Sequence, residues 1–341
     1  MRIYRLLKIF TSINSPRIRL LGLWFISKIG KRYVGVFLDP VIACNLRCRM
    51  CYFSGSKGFE MKKERISIEQ IDKIAKSIFK KALKVQIGCG GEPTLYNNLP
   101  YIVKVARKYN VPYISLTTNG NILSKEVLED LVASGLNEIT ISAHGVKKET
   151  YEYFMQNARY DRFMRLLCNL KEIKRKNSDF RIRINYTINE DNFDDLKSFW
   201  DIFGDLKFDI LQLRPIQNIG DCAYGNYKLD KVKEQFSVIT DLVEECKRKG
   251  IITLAPEKVN LDNIDVVSKF ETVGNTMFEK IAHCYVFPNG CNDGDFDYEN
   301  ETIVQYHNRV GVWKELWKIV LSGKNKKMKE SKTITKMFNY K

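Results

Sequence analysis

Residues 44–51 read Cys44-Asn-Leu-Arg-Cys48-Arg-Met-Cys51 and follow an apolar run that predicts a β-strand over Val34–Ala43. Three thiolates with this C-x3-C-x2-C spacing on one loop can hold three irons of a cubane [4Fe–4S] cluster. The fourth iron then has no protein ligand and can bind a substrate or cofactor, as open metal sites do. Zinc would need a fourth Cys or His at metal-ligand spacing, and none lies nearby. The remaining alternative is three buried structural cysteines.

Short strands and helices alternate along the chain after Tyr33. We predict six strands, at Val34–Ala43, Val85–Ile87, Tyr113–Thr117, Glu138–Ser142, Arg181–Thr187 and Phe208–Leu213. We predict helices at Ser67–Ala82, Leu99–Tyr109, Ser124–Ser134, Lys147–Lys176, Phe193–Phe203 and Lys231–Lys249. This alternation predicts parallel βα units, in an open sheet or in a full or partial barrel. In a barrel, functional groups lie at the carboxyl ends of the strands.

The residues at these strand ends resemble motifs of the radical S-adenosylmethionine (radical SAM) superfamily. The cysteine signature has Met50 as its hydrophobic member and is followed by Tyr52. The second strand ends in Gly90-Gly91-Glu92-Pro93, 39 residues after Cys51, which matches the family's GGEP motif. Glycines allow a close approach of the backbone, and a carboxylate pairs with an ammonium group.

The third and fourth strands end in two further motifs of this kind. Thr117-Thr118-Asn119-Gly120 is similar to the family's T-N-G. In Ile141-Ser142-Ala143-His144-Gly145, the commonest family form has Asp in place of His144. The cysteines and these motifs together are far more specific for the radical SAM superfamily than any one of them alone.

The resemblance implies an α/β fold with a partial (β/α)6 TIM-type barrel, the radical SAM core. It implies that Gly90 to Pro93 bind the amino group of the methionine moiety of SAM, and that Met50 and Tyr52 lie against the adenine. Thr118 and Asn119 belong to the same cofactor-binding set. Ser142 matches a serine near the SAM ribose or carboxylate, and Asn185 on the fifth strand is a second candidate for that contact.

The resemblance also implies a reaction. A reduced [4Fe–4S] cluster held by Cys44, Cys48 and Cys51 gives an electron to SAM, and the sulfonium cleaves. The resulting 5′-deoxyadenosyl radical abstracts hydrogen from the substrate. The cofactor performs the difficult step, and the protein supplies position, electrostatics and exclusion of water.

The C-terminal region resembles a reduced form of the SPASM/twitch extension of such enzymes. Cys284 and Cys291 flank a Pro-x-Gly turn, and Trp317 lies in a helix predicted at Val312–Leu321. Residues 284–301 are rich in Gly, Asn and Asp, which predicts a loop. An auxiliary cluster needs about four thiolates or substitutes. Cys222 is a third candidate ligand, with His283 or an acid to complete the set, but we expect no second iron–sulfur cluster.

His144 and Arg214 are the candidate catalytic or substrate-binding side chains. His144 follows the fourth strand and could transfer a proton, although a hydrogen-bonded structural histidine is an equal alternative. Arg214 ends the sixth strand and could bind an anionic substrate group or brace a loop.

The charge is concentrated at the two ends of the 341-residue chain. Of the net charge of +16, residues 1–32 contribute +8 and residues 314–341 contribute +7. Residues 1–32 predict two amphipathic helices, the first with Ile3, Leu6, Leu7 and Phe10 on one face, the second between Ser15 and Gly30. Such a segment either docks on an anionic membrane surface or packs as a structural cap. Nucleic-acid binding is not favoured, because no aromatic platforms interleave the basic residues.

We therefore expect an enzyme whose chain is divided into four segments. The segments are a basic amphipathic part (1–32), the radical SAM core (33–260), a degenerate SPASM/twitch-like extension (261–322) and a lysine-rich tail (323–341). With 44% hydrophobic residues the chain is not disordered, and we predict neither a transmembrane helix nor a signal peptide. We expect a cytoplasmic protein, with the inner face of the membrane as its docking surface if residues 1–32 bind lipid.

The sequence does not identify the substrate. The first hypothesis is an envelope-associated small molecule or glycan, and the alternative is a peptide modified after translation. A third alternative, from another class, is a non-catalytic iron–sulfur and SAM-binding sensor. An electron donor such as flavodoxin or ferredoxin is expected for the enzyme.

Overall fold

Nine strands form one sheet in the part of the chain that the structure describes. The computed structural model describes residue 13 and residues 15–55, 64–217, 222–261, 277–288, 290–291 and 295–321. The strands are β1 Val34–Leu38, β2 Ala82–Ile87, β3 Ile114–Thr118, β4 Glu138–Ala143, β5 Arg181–Ile188, β6 Ile210–Pro215, β7 Ile252–Leu254, β8 His283–Phe287 and β9 Gly290–Cys291. Their order is β7-β6-β5-β4-β3-β2-β1-β8-β9, and every neighbouring pair is parallel except β8 and β9.

Helices connect these strands, as in a partial TIM-type barrel. They are α1 Pro16–Lys28, α2 Ile68–Ile78, α3 Leu99–Lys108, α4 Lys125–Ala133, α5 Lys148–Phe154, α6 Tyr160–Lys176, α7 Phe199–Phe203, α8 Asp230–Glu234, α9 Ser237–Arg248, α10 Lys258–Leu261, α11 Met277–Ala282, α12 Ile303–Arg309 and α13 Val312–Leu321. Short 3-10 turns occur at Tyr52–Ser54, Phe79–Lys81, Pro93–Leu95 and Phe193–Ser198. The predicted α/β class and partial barrel are confirmed.

The strands β1 to β6 have one apolar side and one polar side. Val36, Ile141 and Ile184 are buried in the main hydrophobic core, which includes the helices outside the sheet. On the other side Gln86 Nε2 of β2 lies 3.5 Å from Thr117 Oγ1 of β3. Side chains alternate along a strand, so the apolar residues pack outward and the polar ones line the inside. The inside of a TIM barrel is usually filled by branched apolar side chains. A polar inside is therefore suited to binding a polar ligand.

A buried ion pair lies at the amino-terminal end of this inner side. Glu138, which begins β4, accepts a hydrogen bond from the Tyr113 hydroxyl at 2.6 Å and pairs with Arg183 of β5 at 2.9 Å. The two charged side chains are 1% and 10% exposed, so each charge depends on the other. Arg183 also donates to Gln212 of β6 at 3.3 Å. These contacts tie β3, β4, β5 and β6 together across the inside.

The predicted helix Lys147–Lys176 is wrong in one respect, because the structure has two helices there. Asn157 lies in the left-handed region with φ of 69°, and Arg159 is extended at the start of α6. The carbonyl groups of Phe154 and Gln156 in this break accept hydrogen bonds from Arg49 N and Arg47 N, each at 2.9 Å. The interruption therefore supplies acceptors for the cysteine-bearing loop, which an unbroken helix would have used internally.

The prediction of a loop at residues 284–301 is wrong at its start. Strand β8 pairs in parallel with β1, from Gly35 opposite His283 to Leu38 opposite Val286. Residues after 261 therefore contribute a strand to the same sheet. The local sequence did not reveal it because the Gly- and Asn-rich residues that follow dominate the pattern.

The N-terminal helix α1 begins where Pro16 follows Ser15, and Gly30 adopts a positive φ of 76° just after its end, as the sequence predicts. It packs on α13, with the rings of Trp24 and Trp317 in an edge-to-face contact at 5.2 Å. The other predicted N-terminal helix and the lysine-rich tail lie outside the described residues. Within the described residues, the helices are too short or too polar to cross a bilayer.

Candidate active site

The cysteine-bearing loop, residues 44–51, lies at the carboxyl end of the parallel strands. All three of its cysteines are half-buried. Besides the two bonds to the α5–α6 break, the loop region is joined to the end of β2 by a hydrogen bond from Glu92 N to Ala43 O at 2.8 Å. The side chain of Asn119, after β3, donates to Asn45 Oδ1 at 2.9 Å. The loop is therefore held by neighbouring strand ends and by the α5–α6 break.

Burial raises the pKa of all three loop thiols. The pKa of Cys44 rises to about 11, because burial is reinforced by the negative charges of Glu92 and Cys51. The pKa of Cys48 lies well above its ordinary value, through burial and then through the charges of Cys51 and Cys44. Burial likewise raises the pKa of Cys51. Such mutually repelling thiolates are stabilised by a cationic metal centre that replaces their protons. This donor set fits a [4Fe–4S] cluster.

The carboxylate of Glu92 connects the ends of β2 and β3. Its Oε1 atom accepts hydrogen bonds from Thr118 Oγ1 at 2.6 Å, from Thr94 Oγ1 at 2.5 Å and from Thr94 N at 3.1 Å. Its Oε2 atom accepts from Asn119 N at 2.8 Å. Burial raises the pKa of Glu92, and these donors oppose that rise. Since Oε1 is saturated, only Oε2 retains a lone pair for a further donor such as an ammonium group.

The two glycines before Glu92 are required by close contacts. A Cβ atom on Gly91 would fall on the carbonyl oxygen of Val41, and one on Gly90 would lie 2.8 Å from the Tyr52 hydroxyl. Pro93 is buried at the start of the 3-10 turn that follows. The backbone at Gly90 and Gly91 is therefore pressed against the segment between β1 and the cysteines.

Asp39 and Tyr285 complete this arrangement, and the sequence reasoning missed both. Asp39 follows β1, is 1% exposed, and accepts hydrogen bonds from Cys89 N at 2.7 Å and Gly90 N at 2.8 Å. The Tyr285 hydroxyl of β8 donates to Asp39 Oδ2. Burial raises the pKa of Asp39, and these three donors, together with Gly91 N, lower it. In the sequence, the position of Asp39 directly after the first strand could have indicated a role at the site. Nothing local indicated Tyr285, because β8 was not predicted.

Met50 and Tyr52 lie on either side of Cys51 in space as well as in sequence. Met50 is buried, and its sulfur accepts a hydrogen bond from Asn189 Nδ2 at 3.0 Å. The Tyr52 ring stacks on Phe53, with ring centroids 4.6 Å apart. Asn189 follows β5 and was not among the predicted residues. The structure thus places Met50 toward β5 and Tyr52 toward the glycines of β2.

Ser142 and Asn185 lie opposite each other in the register of β4 and β5. Asn185 is 9% exposed, and its Oδ1 atom is buried without a hydrogen-bond partner in the described residues. An unpaired buried acceptor costs about 1–3 kcal/mol, so such an atom is a ready contact for a bound donor. This orphaned acceptor fits a polar cofactor such as SAM on the inner side of the sheet.

Cys222 lies apart from Cys284 and Cys291, the two other cysteines considered for a second cluster. Cys222 follows β6, and its neighbours Ala223 and Tyr224 bond to Ser54 and Arg49 beside the cysteine-bearing loop. Cys284 lies on the same side of the sheet as Val36, its partner in β1, and is buried. Cys291, opposite Val286, is buried and donates to Phe296 O at 3.3 Å. Among the described residues, no three His, Cys, Asp or Glu side chains are placed to hold a single metal ion.

His144 lies directly after β4 and Arg214 lies near the end of β6. Both occupy inner-side positions at the carboxyl ends of these strands. Burial, and after it the positive charge of nearby Arg214, lower the pKa of His144 to about 4. His144 is therefore neutral at neutral pH. The geometry brings together these two candidates, the SAM-contact candidates and the three loop cysteines at one end of the sheet, which we call the rim.

An α/β partial barrel with a three-cysteine loop at its rim defines a class of iron–sulfur enzymes. Residues 40–199 match the sequence model described as the Radical SAM superfamily. This segment is a radical SAM domain, and the protein is a radical SAM enzyme whose cofactors are a [4Fe–4S] cluster and SAM.

Two curated relatives share the name "Probable GTP 3',8-cyclase". The protein from Saccharolobus solfataricus is 24% identical over 230 residues, which cover 67% of this chain and 70% of the relative. The protein from Metallosphaera sedula is 29% identical over 178 residues, which cover 52% of this chain and 54% of the relative.

Solved structures share the fold. Streptococcus suis SuiB bound to S-adenosylmethionine superposes with a TM-score of 0.62 at 15% identity, covering 89% of this chain and 71% of SuiB. The native anSMEcpe structure with bound AdoMet gives a TM-score of 0.51 at 20% identity, covering 64% of this chain and 62% of that chain. At such identities the likeness concerns the fold.

We predict that Tyr285→Phe weakens SAM binding. Removal of the hydroxyl takes a donor from buried Asp39, which orients the amides of Cys89 and Gly90. The SAM dissociation constant of the reconstituted protein should rise about 2- to 10-fold, the range for one lost hydrogen bond, while iron content stays the same. Tyr101→Phe is the matched control, because the Tyr101 hydroxyl bonds to Asp72 on the surface. Equal SAM affinity in all three proteins would show that β8 has no part in the site.

We predict about four irons per chain after anaerobic reconstitution, as one cubane requires. The count should be unchanged in a Cys284→Ala/Cys291→Ala variant, because these thiols are buried apart from Cys222. It should fall to near zero in Cys48→Ala. Iron analysis normalised to folded protein measures this. A loss of about half the iron in the double variant would instead demonstrate an auxiliary cluster.

Proposed function

We propose that Cys44, Cys48 and Cys51 ligate the [4Fe–4S] cluster and that the protein reductively cleaves SAM to a 5′-deoxyadenosyl radical. The radical abstracts hydrogen from a substrate bound on the inner side of the sheet. The observation that carries the proposal is the bonding of the cysteine-bearing loop to the Glu92 network, through Ala43 and Asn45. One rigid unit would then hold both the cluster and the molecule that it reduces.

The SAM-binding residues that we infer belong to this same unit or lie on the strands beside it. We infer that Gly90, Gly91 and Glu92 contact the methionine moiety, since the Gly90 and Gly91 amides face Asp39 and Glu92 keeps a lone pair on Oε2. Thr118 and Asn119 act through Glu92 rather than on SAM. Ser142 and Asn185 supply polar contacts from β4 and β5, and Met50 and Tyr52 border the adenine.

Under this proposal the core and the C-terminal extension are no longer separate domains. The core of residues 33–260 is completed by β8 from the extension of residues 261–322, because Tyr285 bonds to Asp39. The extension then serves the SAM site as a structural element, and not as a holder of a second cluster.

We infer a small-molecule substrate, either free or part of a glycan or envelope precursor, as the first hypothesis. The inner side of the sheet is polar and charged, with Lys84, Arg183 and Gln212 among its residues, which suits a polar small molecule. GTP is the molecule named for the relatives. A peptide is the second candidate, supported by the fold shared with SuiB bound to precursor peptide SuiA, at a TM-score of 0.56.

An external one-electron donor must reduce the cluster. We infer a flavodoxin or ferredoxin, because a chain with a net charge of +16 attracts an acidic partner at long range. Dithionite replaces this partner in the experiment below.

Helix α1, which belongs to the basic N-terminal segment, packs on α13. On α1 the residues Ile18, Phe25 and Ile29 share one helix face and are 57%, 58% and 49% exposed. Arg17 and Lys28 flank this face, and no acid occurs in residues 1–32. An exposed apolar stripe with basic flanks fits an anionic lipid surface. We infer that the protein docks peripherally on such a membrane through α1.

We predict that the reconstituted protein forms 5′-deoxyadenosine from SAM under dithionite in the absence of oxygen. Cys48→Ala should reduce the rate to background, because the cluster loses a ligand. Cys168→Ala is the matched control, since Cys168 is an exposed cysteine of α6. Chromatography with mass detection measures the product.

If wild type and Cys48→Ala form equal amounts of 5′-deoxyadenosine, the enzyme hypothesis is wrong. Tight SAM binding without cleavage would favour the sensor alternative.

For the membrane hypothesis, vesicle flotation compares the full-length chain with its Ile18→Ser/Phe25→Ser variant. With phosphatidylglycerol present, the variant should partition at least about 10-fold less, because two apolar side chains no longer enter the interface. Ile68→Ser/Val127→Ser changes exposed residues elsewhere and is the control. Equal flotation of all three proteins would rule out α1 as the docking surface.

A further inference from the structure

Three inward-facing positions form a row at the rim between β4 and β6. In the register of β5 and β6, Thr187 lies opposite Arg214. In the register of β4 and β5, Ala143 lies opposite Tyr186, which places His144, the next residue, beside Thr187. His144, Thr187 and Arg214 therefore cross three adjacent strand ends, one step beyond Ser142 and Asn185.

The backbone of this row is fixed by a buried amide. Asn192 is completely buried, and its Nδ2 atom donates to His144 O at 3.0 Å and to Thr187 O at 2.8 Å. Its own carbonyl oxygen accepts from the Tyr186 hydroxyl at 2.9 Å. The ends of β4 and β5 are thus held at a set separation. A ligand contacting this row meets a preorganised site and spends little free energy on ordering it.

Arg214 has no acidic partner among the described residues. The acids that follow β5 are engaged elsewhere, since Asp191 accepts from the Tyr224 hydroxyl and Asp195 accepts from Val146 N and Lys147 N. The surrounding protein lowers the pKa of Arg214 by desolvation, although the side chain remains solvent-accessible. A guanidinium with five donors and no counter-ion favours an anion.

His144 is the second group of the row, and one of its ring nitrogens is unpaired among the described residues. Its Nδ1 atom is buried and has no hydrogen-bond partner in the described part of the chain. The neutral ring carries one N–H donor, so it can add a hydrogen bond to an anion without adding charge. Lys84 lies farther down the inner side and contributes positive potential there. The acid on that side, Glu138, is already paired with Arg183.

We propose that Arg214 and His144 form a subsite for an anionic group of the substrate, a phosphate or a carboxylate. The assignment rests on the proposed function, because it assumes that the substrate lies on the inner side of the sheet next to SAM. The subsite would hold the charged end of the substrate at the rim and direct the rest of the molecule toward the cluster. The carboxylate of SAM is the other anion that could reach this row, so the test separates the two.

The chain contains three histidines, so histidine-labelled protein shows three ring signals in NMR. The holoenzyme with SAM bound is titrated with inorganic pyrophosphate and, separately, with succinate. We expect at least one probe to shift the His144 signal in a saturable way, with the His283 and His307 signals nearly unmoved. In Arg214→Gln the dissociation constant of that probe should rise at least about 10-fold, as for a lost charge-assisted hydrogen bond. Arg165→Gln, on the exposed face of α6, should leave it unchanged.

An unmoved His144 signal with both probes, or the same dissociation constant in Arg214→Gln, would overturn the subsite. A 10-fold loss of SAM affinity in Arg214→Gln with probe binding retained would also overturn it, because Arg214 would then hold the SAM carboxylate. The NMR titration needs no turnover. A failure of the subsite is therefore distinguishable from a failure of SAM cleavage, which is measured as 5′-deoxyadenosine in the same preparation.

Discussion

Glu92 is almost completely buried where β2 and β3 end, and its carboxylate accepts hydrogen bonds from Thr94, Thr118 and Asn119. Burial of an ionised carboxylate is costly unless such donors replace water. The donors come from two strands, and the amide of Glu92 itself bonds to Ala43 before the cysteines. The position of the cysteine-bearing loop, the glycines and the end of β3 therefore depends on one charged group. Removal of any donor would leave part of that charge unpaired in a place water cannot easily reach.

A second buried carboxylate joins the C-terminal part of the chain to the site, again through hydrogen bonds from several segments. Asp39 holds the amides of Cys89 and Gly90 and receives the Tyr285 hydroxyl from β8. The extension thereby becomes part of the rim. Polar side chains line the inside of the sheet while apolar ones pack outward. This inversion of the usual barrel interior presents polar groups that suit a polar ligand, and the buried ones among them need ion pairs or hydrogen bonds.

Much of the rim was predictable because its chemistry is local in sequence. The three cysteines share one loop, and Gly90 to Pro93 are contiguous, so their residue types and spacing already point to a cluster and to SAM. The predicted strand positions agree with the structure to within a few residues at most ends, because buried parallel strands read as short apolar runs. The first strand is shorter than predicted and ends at Leu38, since Asp39 turns its carboxylate toward the glycine loop and Pro40 lacks an amide hydrogen. The break at Asn157 and strand β8 were missed, since neither has a local signal strong enough to outweigh its neighbours.

The sequence by itself determined the class of fold and the cofactors and predicted the cluster ligands, because short motifs at strand ends carry that chemistry without reference to distant residues. The tertiary structure decided which distant residues complete the site. Tyr285 reaches Asp39, Asn189 reaches Met50, and the register of β4, β5 and β6 brings His144 and Arg214 to the same end of the sheet. It also separated Cys222 from Cys284 and Cys291. The physical reason is that parallel strands bring their carboxyl ends together regardless of the length of chain between them, so contacts at the rim depend on strand order and register.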